Sequence, residues 1–229
     1  MKNVEPFGFL LIDKPKGKTS HDVIDELRKI TKIKKIGHSG TLDPIATGLL
    51  ILGIGREATK KLSQFQKLDK EYWARIRLGA ISDTFDVQGK IMEIKVNEIP
   101  TKEKVEKVLR SFEGEILQTP PPYSAKKIKG VKLYELARKG ILVAPKPKKV
   151  KIYKIELLKF KWPYLEIKIN CSSGTYIRSL ANDIGKKLGC GALVEELKRT
   201  KIGEFSLDKA VSLSEISPQN WQKFIFNFP

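Results

Sequence analysis

Residues 37–54 read GHSGTLDPIATGLLILGI, a loop with three glycines and a proline that runs straight into the apolar stretch Leu49–Ile54. The apolar stretch has the length and composition of a buried strand. Glycine lets the loop before it approach a ligand closely, because no Cβ intervenes. Pro44 disfavours the helical region for Asp43 and pushes it towards an extended or turn conformation. Taken alone, Asp43 reads as a turn or helix-cap residue and His38 as a satisfied loop histidine.

Outward from this stretch, strands and helices mix without regular crossover. Gly8–Ile12 reads as a buried strand closed by Lys14-Pro15-Lys16-Gly17. Thr19 or Ser20 can cap a helix whose apolar face is Val23, Ile24, Leu27 and Ile30. Glu57–Lys67 reads as a helix, and Tyr72, Ala74, Ile76 and Leu78 alternate as in a strand. Val105, Val108, Leu109 and Phe112 mark an amphipathic helix with Thr101 near its cap. Strands follow at about 148–160 and 164–171, then a helix over Thr175–Leu188. This order predicts an α+β fold with a mixed, largely antiparallel sheet flanked by helices.

Charge narrows the function classes. Lys+Arg number 44 against 26 Asp+Glu, a net charge of +18. Such an excess draws polyanions, whereas a thermophile surface commonly balances Lys with Glu. From Lys126 to Lys161 there are thirteen basic residues and only Glu135 and Glu156 as acids. Nucleic acid is the favoured partner, with an anionic membrane face second. The longest apolar run falls well short of the ~20 residues a membrane span needs, and the N-terminus has no secretory h-region. A soluble, cytoplasmic protein is expected. Cys171 and Cys190 form no C-x-x-C pair and have no nearby histidine, so they read as buried, reduced thiols with no zinc site.

Several familiar motifs fail. Gly53-Ile-Gly55-Arg-Glu-Ala58 imitates a dinucleotide fingerprint, but the repeated βαβ context is missing. Gly48 and Gly53 have P-loop spacing with Ile54 where the lysine must stand. Gly37-His-Ser39-Gly-Thr41 lacks the last glycine of a nucleophile elbow.

The string from Gly37 to Gly48, G-H-x-G-T-L-D-P-x-A-T-G, resembles the active-site loop of the TruB family of pseudouridine synthases. Further blocks match in order: Leu11-Ile12-Asp13-Lys14-Pro15 with Gly17, Thr19 and Ser20, then Lys70-Glu71-Tyr72 with Arg77-Leu78-Gly79 and Asp83-Thr84-x-Asp86. Pro121–Lys127 and Leu133–Arg138 follow, then Cys171-Ser-x-Gly174-Thr175-Tyr176-Ile177-Arg178 and Leu188–Ala192. The resemblance covers residues 9 to about 205.

It implies a pseudouridine synthase fold with an active-site cleft across the sheet, and isomerisation of the T-loop uridine of tRNA, position 55. Asp43 would then be the catalytic carboxylate, attacking sugar or base or stabilising charge at the sugar. Arg178 would pair with it, holding it ionised, and Tyr72 would stack on the base and help remove the C5 proton. Tyr176 and Leu197 would line the uracil pocket, with core packing the alternative. His38 would fill the stack vacated by the extruded base, while Asp86 would join the active-site cluster and Lys14 support it. The redox-neutral reaction implies no nucleotide, metal or flavin cofactor. The partner is the tRNA T-stem-loop, with no membrane and no required protein partner, and the protein is expected to act as a monomer. The catalytic domain is expected over residues 1–210, with 211–229 a short C-terminal tail and no PUA domain. The alternatives are a non-catalytic RNA-binding module and a guide-RNA-dependent synthase.

Overall fold

The computed structural model describes residues 7–124, 127, 128, 130–133, 141 and 145–228. The matched positions Ala125, Lys126 and Tyr134–Arg138, with part of the basic stretch after Lys126, lie outside the described residues. In chain order the elements are β1 (Gly8–Lys14), α1 (Ser20–Thr31), β2 (Ile36–His38), β3 (Ala46–Ile54), α2 (Gly55–Lys67), β4 (Lys70–Leu78), β5 (Ala80–Ser82) and β6 (Ile91–Glu93). Then come α3 (Lys102–Arg110), β7 (Gly114–Gln118), β8 (Lys127–Ile128), β9 (Val131–Lys132), β10 (Lys148–Lys161) and β11 (Tyr164–Cys171). Helix α4 (Ile177–Leu188), β12 (Ala192–Ile202), β13 (Phe205–Ser206) and β14 (Val211–Ser212) complete the order, with three short 3-10 turns after Ser206. The class is α+β, with a large, mostly antiparallel sheet. Among the described residues, no helix is long and apolar enough to cross a membrane.

The chain divides into two compact units, Met1–Glu71 with Lys198–Pro229, and Tyr72–Leu197. In the first, β1 pairs antiparallel with β3 over its whole length, Gly8 opposite Ile54 and Lys14 opposite Gly48. β14 adds to β1 in parallel, and β2 pairs antiparallel with the end of β3. Nearly every residue of β3 is buried, because alternate side chains enter two separate apolar clusters. Leu50, Leu52 and Ile54 pack with Val23, Ile24 and Leu27 of α1. Leu49 and Ile51 pack with Ala58, Leu62 and Phe65 of α2. The first helix starts with a full capping box, Thr19 and Asp22 exchanging backbone and side-chain hydrogen bonds.

Residues past Ala210, expected as a tail, pack into this unit. Val211, Leu213, Ile216 and Trp221 are buried in the α1 cluster, and Phe226 exchanges two backbone hydrogen bonds with Phe9.

In the second unit β10 pairs antiparallel with both β11 and β7. Tyr72, Ala74, Ile76 and Leu78 of β4 are all buried, as their alternation predicts, while Trp73, Arg75 and Arg77 between them are partly exposed. Helix α3, capped by Thr101, buries Val105, Val108 and Leu109 and packs against β10 and α4. Phe112 falls just beyond α3. The long strand β12 had no alternating pattern to announce it: Ala192, Leu193 and Val194 are buried in succession.

Candidate functional site

In the first unit, the loop between β2 and β3 carries Asp43, and its backbone is pinned on every side. Ser20, the first residue of α1, accepts from the Leu42 amide at 2.9 Å and returns its own hydroxyl to the Leu42 carbonyl at 3.3 Å. Gly17 N–H donates to the Pro44 carbonyl at 2.8 Å, and Ser39 N–H to the Ile51 carbonyl at 2.9 Å. Ala46 N–H donates to the Asp43 carbonyl at 3.0 Å, closing a turn through Pro44. Arg199, 2% exposed, donates Nε to the Leu49 carbonyl at 2.7 Å and Nη2 to the Gly40 carbonyl at 3.2 Å. Gly48 lets Arg199 come this near: at φ +96 it adopts a left-handed conformation, and a Cβ there would lie 2.3 Å from the Arg199 carbonyl oxygen. The outcome is a half-buried Asp43 on a backbone with little freedom to move.

Two titratable side chains flank this loop. Lys14 is fully buried and donates its ammonium to the carbonyls of Pro15 (2.8 Å) and Lys18 (2.6 Å). Burial lowers its pKa to about 8, the Asp43 carboxylate opposing the shift and Arg199 adding to it. His38 is partly buried, accepts from Gly40 N–H through Nδ1 at 3.2 Å, and meets the His21 ring edge-on at 5.6 Å. Its pKa falls to about 4, chiefly by burial and further by His21 and Arg199. It is therefore neutral near pH 7.

In the second unit, Arg178 at the start of α4 and Asp86 are both buried and lie 3.4 Å apart. Arg178 also donates Nη1 to the Thr84 carbonyl at 2.8 Å and Nη2 to the Tyr123 carbonyl at 2.9 Å. The Asp86 carboxylate accepts from the Thr84 hydroxyl at 2.7 Å and the Gln88 amide at 2.9 Å. These bonds occupy both Nη nitrogens of Arg178 and the Asp86 carboxylate and offset part of the cost of burying the pair, while Arg178 Nε makes no hydrogen bond among the described residues. Gln118 at the end of β7 bonds both backbone groups of Tyr176, accepting from its N–H at 2.7 Å and donating to its carbonyl at 3.0 Å. That clamp fixes the entry to α4 and so the placing of Arg178 two residues on. Tyr176 is partly exposed, whereas Tyr72 and Leu197 are buried.

The structure thus brings Lys14, His38 and Asp43 into one unit and Tyr72, Asp86, Tyr176, Arg178 and Leu197 into the other. Sequence reading missed Arg199 and Gln118. Arg199 sits between Lys198 and Thr200 and looks like surface charge, and nothing in a lone glutamine forecasts a backbone clamp. A carboxylate held on a rigid loop can act as nucleophile or charge stabiliser; a multiply held guanidinium can orient an anion.

Residues 28–177 match the family model for the TruB family pseudouridylate synthase N-terminal domain, and residues 178–224 that for the tRNA pseudouridylate synthase B C-terminal domain. The chain is 49% identical over 218 residues to the tRNA pseudouridine synthase B of Clostridium tetani, covering 95% of this chain and 75% of that protein. It is 50% identical to the tRNA pseudouridine synthase B of Aquifex aeolicus, with 95% and 76% covered. Among solved structures it is similar to the archaeal box H/ACA sRNP Nop10-Cbf5 complex, with 29% identity, TM-score 0.69 and 94% of this chain covered. An H/ACA RNP bound to a substrate RNA containing 2'-deoxyuridine matches at 30% identity and TM-score 0.67 over 90% of this chain. The chain spans about half the length of those two structures' chains, 55% and 51% respectively.

Proposed function

Because this chain belongs to the TruB family of pseudouridylate synthases, we propose that it converts the T-loop uridine of tRNA, position 55, to pseudouridine. The observation that carries this reading is the pinned loop, which holds the carboxylate-bearing Asp43 near the buried ammonium of Lys14. In this reaction the bond from uracil N1 to the ribose C1′ breaks, the base turns, and C5 bonds to C1′. C5 loses a proton and N1 gains one, so no oxidant, reductant or external energy is needed. Asp43 supplies the carboxylate, attacking sugar or base or stabilising the sugar cation. Arg178, oriented by Asp86, Thr84 and Tyr123, is the guanidinium assigned to orient the reacting carboxylate. Tyr72 stacks on the uracil and assists loss of the C5 proton, with Tyr176 and Leu197 lining the base pocket. His38, uncharged at neutral pH, replaces the extruded base in the stack, offsetting an unstacking cost of a few kcal/mol.

The protein works on tRNA as a monomer without guide RNA. Identity of 49–50% to the two tRNA synthases, against 29–30% to the H/ACA structures, supports this over a guide-dependent enzyme. The test is to incubate purified protein with an unmodified tRNA transcript, without guide RNA, and to map pseudouridine. One product in the T-loop is expected, with Asp43→Asn abolishing turnover while tRNA binding stays within about tenfold. No product from the wild-type protein, product at another position, or an active Asn variant would each refute part of the reading.

A further inference from the structure

An open, solvent-facing cavity of about 400 Å3, lined in part by His38, lies within the first unit between α1, β2 and α2. That volume lies within the roughly 300–1,000 Å3 of small-ligand sites. Its floor is apolar, from Ile24, Ile36 and Leu62. Gly37 keeps the floor open, because a Cβ there would meet Leu62 Cδ1 at 2.9 Å. Its cationic residues are Arg28, Lys35 and Lys60, and none of the residues lining it is acidic. Arg28 pairs with Asp25 at 2.8 Å and Lys60 with Glu57 at 2.9 Å. Both are exposed i,i+3 pairs on their helices, a weak class that a phosphate can displace. Gln66 and Ser63 add hydrogen-bonding groups, and the His21 ring, edge-on to His38, adds a flat aromatic wall.

An apolar floor, an aromatic wall, side-chain amide and hydroxyl groups and a cationic lining are together what a nucleotide, with its flat base and its phosphate, would use. The base would lie over the floor and the phosphate among the cations. We propose that this cavity is a second nucleotide subsite, which accepts a nucleotide of the RNA adjacent to the one that His38 displaces. The inference rests on the reading of the chain as an RNA-modifying enzyme. To the base-stacking surface of His38, which also lines the cavity, it adds a cationic surface from Arg28, Lys35 and Lys60: the wedge meets bases and the cavity meets a base and its phosphate.

Two variants test the subsite by different routes. Lys35→Ala/Lys60→Ala removes charge, while Ser63→Trp, on an exposed helical position, plugs the cavity without changing charge. Each should raise KM for a T-arm hairpin about tenfold. The double variant should also flatten the slope of log K against log salt by roughly 0.7–0.9 for each phosphate that is no longer neutralised. Lys102→Ala/Lys107→Ala on α3 removes the same charge and should do neither. In parallel, amine labelling of the wild-type protein with saturating hairpin should protect Lys35 and Lys60. The footprint needs no turnover, so protection in a protein that makes no pseudouridine would leave the subsite standing and overturn the assigned reaction. Normal turnover with both lysines labelled as in free protein would overturn the subsite. So would an unaffected Ser63→Trp variant, since phosphate binding at the rim alone leaves no nucleotide in the cavity.

Discussion

At the scale of single residues, the informative feature is that the buried cations are held by carbonyl oxygens. Arg178 spans the Thr84 and Tyr123 carbonyls and reaches Asp86. Lysine presents one compact ammonium and cannot cover that spread. Arg178→Lys should therefore lose most activity and leave at least one part-buried carbonyl without its guanidinium donor, costing at most about 1–3 kcal/mol of stability. A variant retaining more than about half the wild-type kcat would show that the orientation is not needed. His38 carries a pH prediction. Its folded pKa of about 4 lies below its ordinary 6.5, so between those values the unfolded chain binds the proton that the folded chain refuses. The stability it confers is fully present above pH 6.5 and is lost as pH falls towards 4. His38→Gln, which cannot titrate, should lose less stability than wild type between pH 7 and pH 5 in urea unfolding; equal losses would remove His38 as the cause. Of these residues, Asp43, Arg178 and His38 stand out in the sequence because each sits inside a spaced motif, and their roles are proposals. Arg199 was not, because a buried arginine and an exposed one look alike in one dimension.

At the scale of elements, β10 carries part of the basic stretch, and strand alternation divides its lysines between two faces. Lys148 is paired across the ladder with Gln118, the residue that clamps Tyr176, and its Nζ lies 3.0 Å from where a Cβ of Gly174 would stand. Lys149 and Lys151 stand opposite Leu117 and Glu115 and share the other face. Lys149 lies 3.8 Å from the Glu115 carboxylate, and Lys151 sits 5.4 Å from the Tyr153 ring centre. If RNA meets the Tyr176 face, Lys148→Ala should flatten the salt slope by roughly 0.7–0.9. Lys149→Ala/Lys151→Ala should then leave it unchanged. The reverse result would put the RNA on the opposite face. The helices were legible from their 3.6-residue periodicity, and α1 and α3 also from the caps Thr19 and Thr101. β12 was not, since consecutive burial of Ala192, Leu193 and Val194 erases the alternation on which strand reading depends.

At the scale of the whole chain, covalent order and spatial grouping part company. Residues from Lys198 onward belong with the first seventy-one rather than with those just before them. Trp221, 5% exposed, is buried in the cluster built by α1, β1 and β3. Trp221→Ala should cost about 3–5 kcal/mol, the usual range for a large buried aromatic. A loss below about 1 kcal/mol in chemical denaturation would mean that the last segment adds little to the core. The net charge of +18 acts at this scale too, raising the local concentration of any polyanion before the two molecules touch.

By itself the sequence determined the class of fold, the family and the loop that carries Asp43, because periodicity and motif spacing are local and survive in one dimension. Only the tertiary structure decided which groups hold that loop and where the charge goes. Ser20, Arg199 and Gln118 act on backbone groups 22, 159 and 58 positions away, and a backbone carbonyl has no letter in the sequence. The same holds for Lys14 and His38: burial sets their protonation, and burial exists only once the chain has closed around them.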